Sequence, residues 1–119
     1  MPSTDEHLKK AEGNRRFAYA LRPANSVVSG WALTVLFYSA LHYVEAYNAK
    51  FNTHFKSHDN LKSDIGRNPV LSDIYDEYSD LLTFSWNARY NSVVYGEAEL
   101  NEAKEYHASV EKHILNLLG

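Results

Sequence analysis

The 119-residue sequence has no cysteine, three prolines and five glycines. Without cysteine, disulfides, thiolate metal sites and cysteine nucleophiles are all excluded. So little proline and glycine argues against a disordered or collagen-like chain, and against a turn-rich all-β domain. No alternating apolar and polar run bounded by turns appears, which leaves a β-sheet little support. Apolar runs are short and broken by Tyr, His, Glu and Ser, so no membrane span and no membrane partner are expected. The opening Met1-Pro2-Ser3-Thr4-Asp5-Glu6 lacks the basic and apolar parts of a signal peptide, and a cytoplasmic location is expected. There is no phosphate loop, dinucleotide fingerprint or serine elbow. Any chemistry would have to come from His, Arg, Glu and Tyr.

What is present suits one domain. With 45% hydrophobic residues, a chain of this length buries about two-thirds of its unfolded surface around a single core, and residues 1–119 are expected to form it. Charge is unevenly spread over a formal net −3. Residues 1–22 carry Lys9, Lys10, Arg15, Arg16 and Arg22 against Asp5, Glu6 and Glu12, a net +2; residues 70–119 sum to −6. That balance is not the basic domain of an avid non-specific DNA binder.

Helical periodicity dominates the pattern. From about Thr4 to Leu21, Leu8, Ala11, Phe17, Ala18 and Leu21 form a loose apolar stripe, ended by Pro23. From about Ser26 to Phe51, Trp31, Val35, Tyr38, His42 and Glu45 share one stripe. Val28, Leu36, Phe37, Leu41 and Val44 widen it over most of the circumference, as in a central bundle helix. A short helix with His58, Leu61 and Ile65 starts at Ser57 and stops near Gly66. The repeat from about Val70 to Tyr90 (Leu71, Ile74, Tyr75, Tyr78, Leu81, Leu82, Trp86) predicts the next helix, with Arg89 on its inward stripe. Ala103, Tyr106, Val110, Ile114 and Leu117 predict the last, from about Glu97 to Leu118. The expected fold is an all-α, up-and-down bundle of four long helices and one short one.

Three polar side chains fall where burial is expected: His42, Glu45 and Arg89. A buried charge needs a partner. In one reading they form a structural network, Arg89 paired with Glu45 and a tyrosine satisfying His42. In the other, Arg89 holds a phosphate, His42 or His58 supplies a proton, and Glu45 orients one of them. His54 and His58 are four apart, but Phe55-Lys56-Ser57 reads as a loop and no Glu follows His54 as in a zincin. No metal and no cofactor are expected, and His54, His107 and His113 are placed on the surface. The nine tyrosines fall mostly at core spacing.

The order of these pieces resembles the HEPN domain family. Residues 30–46, with Phe37-Tyr38-Ser39-Ala40-Leu41-His42 leading to Glu45, look like that family's central helix. Ser57-His58-Asp59-Asn60-Leu61 is similar to its short helix opening with a His, and Ala88-Arg89-Tyr90-Asn91 to its Arg-Tyr-Pro element. The resemblance, spanning about Leu8 to Val110, implies a homodimer with a cleft at or near its interface. It implies a nucleotide or RNA ligand held by Arg89, Glu45, Tyr90, Asn91 and Tyr95. It also implies a place in toxin–antitoxin or defence systems, sometimes beside a nucleotidyltransferase-like partner protein. Many members are metal-independent ribonucleases, for which Arg89, His58 and His42 are the catalytic candidates here. Their nuclease motif places a His after the Arg with a gap of four to six residues between them, whereas Arg89 is followed at those positions by Val94, Tyr95 and Gly96. Three expectations stand: a phosphate-binding domain, a divergent endoribonuclease, or a partner-binding bundle without a ligand.

Overall fold

Helix formation begins at Ser3. Its hydroxyl accepts from the Glu6 amide at 3.2 Å, and Glu6 reaches back to the Ser3 amide at 3.1 Å, satisfying two free donors of the first turn. The computed structural model describes residues 2–22 and 24–119. Helix α1 runs Thr4–Ala20; Pro23, expected to stop it, lies outside the described residues. Asn25 caps α2, Ser26–Ala49, by accepting from the Val28 amide at 3.1 Å. Beyond α2, Thr53 N–H bonds back to Asn48 C=O and Asn52 N–H to Ala49 C=O, each at 3.1 Å, with Asn52 at φ 53°. That is a Schellman end with Asn as the left-handed residue, and it turns the following loop back along the helix.

Ser57 caps α3, His58–Arg67. The helix expected from Val70 begins five residues later, because Asn68 and Pro69 lead into a turn. Bonds from Leu71 and Ser72 to Asn68 C=O lead to a single 3₁₀ turn, Ser72–Ile74, before α4, Tyr75–Tyr90. Helix α5 spans Glu97–Leu118, opened by Glu99 accepting from the Gly96 amide at 2.8 Å.

The described residues form an all-helical bundle in which α2 packs against α1, α4 and α5. Leu33, Leu36, Phe37, Ala40 and Val44 are fully buried, together with Leu71, Leu81, Val110 and Ile114. Contrary to the expectation for its apolar runs, α2 is long and apolar enough to cross a bilayer. Its apolar surface is instead covered by the other helices, which accounts for the composition. Two residues of the expected inward stripes face out: Trp31 is 60% exposed and Trp86 51%. Trp31 borders an open groove beside Ala88 and Arg89, and Trp86 a second groove next to the first turn of α3.

Candidate functional site

The polar groups expected to converge are divided between two places along α2. One is the crossing of α2 and α4. The helices meet there at Gly30 and Ala88, where a β-carbon on Gly30 would stand 3.7 Å from that of Ala88, an ordinary contact distance. Two turns further along α2, Arg89 lies against Tyr38. Its Nη1 donates to the Tyr38 hydroxyl at 3.1 Å, its Nε to Ser85 C=O at 3.2 Å, and its guanidinium sits over the Tyr38 and Tyr90 rings.

Arg89 makes no ion pair with a carboxylate among the described residues. The expected Arg89–Glu45 pair does not form, because Glu45 is seven residues beyond Tyr38, roughly 10 Å along the helix axis. Arg89 lines an open groove of about 440 Å³ with Trp31, Tyr90, Val94 and the first turn of α2. Five donors in a fixed fork, two of them used, leave capacity for an anion.

His58, the first residue of α3, packs its ring edge-on to Phe37 and Tyr38, at 5.6 and 6.1 Å. It lines a second groove, about 530 Å³, with Leu82 and Trp86. Trp86 in this groove and Tyr90 in the other have their rings in contact, 4.6 Å between centroids. Arg89 and His58 therefore flank the Tyr38 ring from neighbouring grooves. Asn91 and Tyr95 line neither groove. Both bond to the Asn87 amide, at 2.8 and 3.1 Å, and Tyr95 packs on Phe84.

The second place is the far half of α2. His42 is satisfied not by a tyrosine but by His7, Nδ1 to Nδ1 at 3.1 Å, with the rings stacked at 5.3 Å. Glu45 Oε2 lies 3.4 Å from His7 Nε2 and 3.7 Å from His54 Nδ1. Burial, reinforced by neighbouring His7, holds the His42 pKa at about 4, and burial raises that of Glu45. No hydrogen bond, ion pair or ring contact among the described residues joins His42 or Glu45 to Arg89. His7, missed in the sequence, is 3% exposed; it lies one turn before Ala11, a spacing that marks the inner face of α1.

His107 is a further correction: expected on the surface, it is fully buried. The Ser39 hydroxyl donates its one hydrogen to Ala11 C=O at 2.7 Å, so it must accept from His107 Nε2–H at 2.8 Å. His107 Nδ1 is then unprotonated and has no partner among the described residues. The spacing Ala103, His107, Val110, Ile114 carried this signal.

Models of known families, curated proteins and solved structures yield no match to this chain.

Proposed function

We propose that this chain is a HEPN-like domain that binds a nucleotide or RNA phosphate at Arg89. The observation that carries the reading is a guanidinium held in place by Tyr38 and Ser85, without a carboxylate partner among the described residues, in an open groove. Exposed Tyr90 (61%) and Trp31 beside it offer faces on which bases stack. The neighbouring groove with His58 gives room for a second nucleotide. His42 is committed to His7, and His58 touches Tyr38 rather than Arg89, which supports binding over cleavage. The apolar rim, with Val27 67% and Val94 75% exposed, exceeds what a small ligand covers and suits a second copy of the chain. The proposed assembly is a homodimer with its grooves near the interface.

Arg89→Ala is expected to weaken binding of labelled single-stranded RNA by about 10- to 100-fold, the worth of a charged hydrogen-bonded contact. Fluorescence anisotropy reads the affinity, and thermal melting should show a variant that still folds. Unchanged RNA affinity in a folded variant rejects the site. No cleavage of the RNA in EDTA is expected; cutting that disappears with Arg89 would transfer the groove to the ribonuclease reading. Light scattering that gives a monomer at micromolar concentration would reject the dimer.

A further inference from the structure

The group at the far half of α2 is separate from the Arg89 groove. His7 comes from α1, His42 and Glu45 from one face of α2 at i and i+3, and His54 from the loop after α2. One ligand atom each from His7, His42 and Glu45 lies within 4.8 Å of the others. Contacts of 3.1, 3.4 and 3.7 Å join the four side chains in series. A tetrahedral zinc ion with Zn–N near ~2.0–2.1 Å holds its ligand atoms roughly 3.3 Å apart. His7 meets His42 through Nδ1 and Glu45 through Nε2, so to bind an ion its ring turns to bring one nitrogen toward both, and His54 swings in from its contact with Glu45.

We infer that His7, His42 and Glu45, with His54 as the fourth ligand, form a binding site for one divalent transition ion of the zinc class. The expectation of no metal, drawn from His54 and His58 alone, is revised accordingly: His58 packs on Phe37 and Tyr38, and His54 meets Glu45 instead.

The donor set is selective. Three imidazole nitrogens and one carboxylate oxygen suit zinc, cobalt, nickel or copper, whereas magnesium and calcium take mainly oxygen donors. The backbone holds the ligands before any ion arrives. The Ser3–Glu6 capping box sets the start of α1, and the Thr4 hydroxyl donates to Ala46 C=O at 2.8 Å, fixing His7 beside Glu45. The Schellman turn at Asn52 brings His54 back over the end of α2. His7 is buried and Glu45 half-buried, so water competes weakly for the ion. Lys10, three residues after His7, is the neighbouring cation that opposes it. An ion here would pin α1 to α2 and close the 50–57 loop.

The test uses the full chain, stripped with chelator and titrated with ZnCl₂ by calorimetry, with CoCl₂ as a spectroscopic probe. One ion per chain is expected, with visible Co²⁺ absorption of tetrahedral intensity. At a hundredfold excess of Zn²⁺ over Kd, the melting temperature should rise by roughly 10 °C. Glu45→Gln preserves shape and should weaken Zn²⁺ at least tenfold. His54→Ala lies on an exposed loop that does not threaten folding, and should both weaken Zn²⁺ and remove the tetrahedral Co²⁺ spectrum. His113→Ala, away from the cluster, should match the parent chain. Absence of stoichiometric Zn²⁺ binding by the folded parent, or undiminished binding by folded Glu45→Gln and His54→Ala, overturns the site and leaves a hydrogen-bonded relay from His42 through His7 to Glu45. RNA binding at Arg89 can succeed or fail independently.

Discussion

Phe37→Ala should cost this fold about 3–5 kcal/mol, the usual toll of deleting a buried aromatic ring. Phe37 is fully buried on α2, and its ring meets Tyr38 at 5.2 Å, His58 at 5.6 Å and Tyr78 at 5.6 Å, each edge-on. Truncation leaves a cavity at the junction of α2, α3 and α4 and removes three aromatic contacts together. Domains of this size have about 5–15 kcal/mol in hand, so the variant should lose a large share of its stability. Urea denaturation measures the loss. The denaturant slope should be unchanged, because the same surface is exposed on unfolding. Hydrogen exchange should rise most in α3, which reaches the core through Leu61, Ile65 and the ring of His58. A cost below about 1 kcal/mol would mean that the three rings close over the gap, and that Phe37 does not organise this junction.

Mild acid should destabilise the protein through His107. Burial lowers its pKa from 6.5 to about 4; Glu111 partly offsets this and Arg15 adds to it. Those two side chains pair with each other at 3.3 Å, and the Tyr19 and Tyr43 rings also face the imidazole. The geometry agrees with the direction of the shift. Nε2 already donates to Ser39, and a proton added at Nδ1 would find no acceptor. Between pH 6.5 and 4 the unfolded chain binds a proton that the folded chain refuses. Stability is therefore complete above about pH 7 and falls as the pH drops through this window. The difference amounts to about 3 kcal/mol at the acid end. Urea midpoints at pH 7 and pH 4.5, compared between the parent and His107→Gln, isolate this residue. Glutamine keeps a donor toward Ser39 but cannot titrate. An equal acid loss in both proteins would remove His107 as the cause.

The helices were legible because their signals are local. Glu97 and Glu99 at the start of α5, and the spacing of Ala103, Val110 and Ile114, placed that helix to the residue. The delayed start of α4 was not legible, since Leu71 and Ile74 hold core positions in a turn as well as in a helix. At the site, periodicity put Tyr38, His42, Glu45 and Arg89 on facing stripes but gave no axial level. Arg89 meets α2 at Tyr38, and Glu45 is two turns away. Partner choice among histidines was hidden for the same reason: which residue of α1 stands opposite His42 depends on how the helices are offset. His7 is in place because Thr4 anchors to Ala46. The exposure of Trp31 and Trp86 is likewise a property of the assembled bundle, where the surface above the α2–α4 crossing is left open.

The central place of α2 also constrains how this sequence can vary. Helix α5 shows buried Leu100, Ala103, His107, Val110 and Ile114 separated by exposed positions, so a library of all single substitutions should tolerate changes there in a three-to-four-residue rhythm. In α2 the buried residues extend almost without a break from Ala32 to Val44, and no such rhythm is available. Its freedom to change is concentrated in the first turns, at Ser26, Val27 and Trp31, which border the Arg89 groove. New ligand preferences can therefore arise at that end of the helix while the framework that carries them stays fixed.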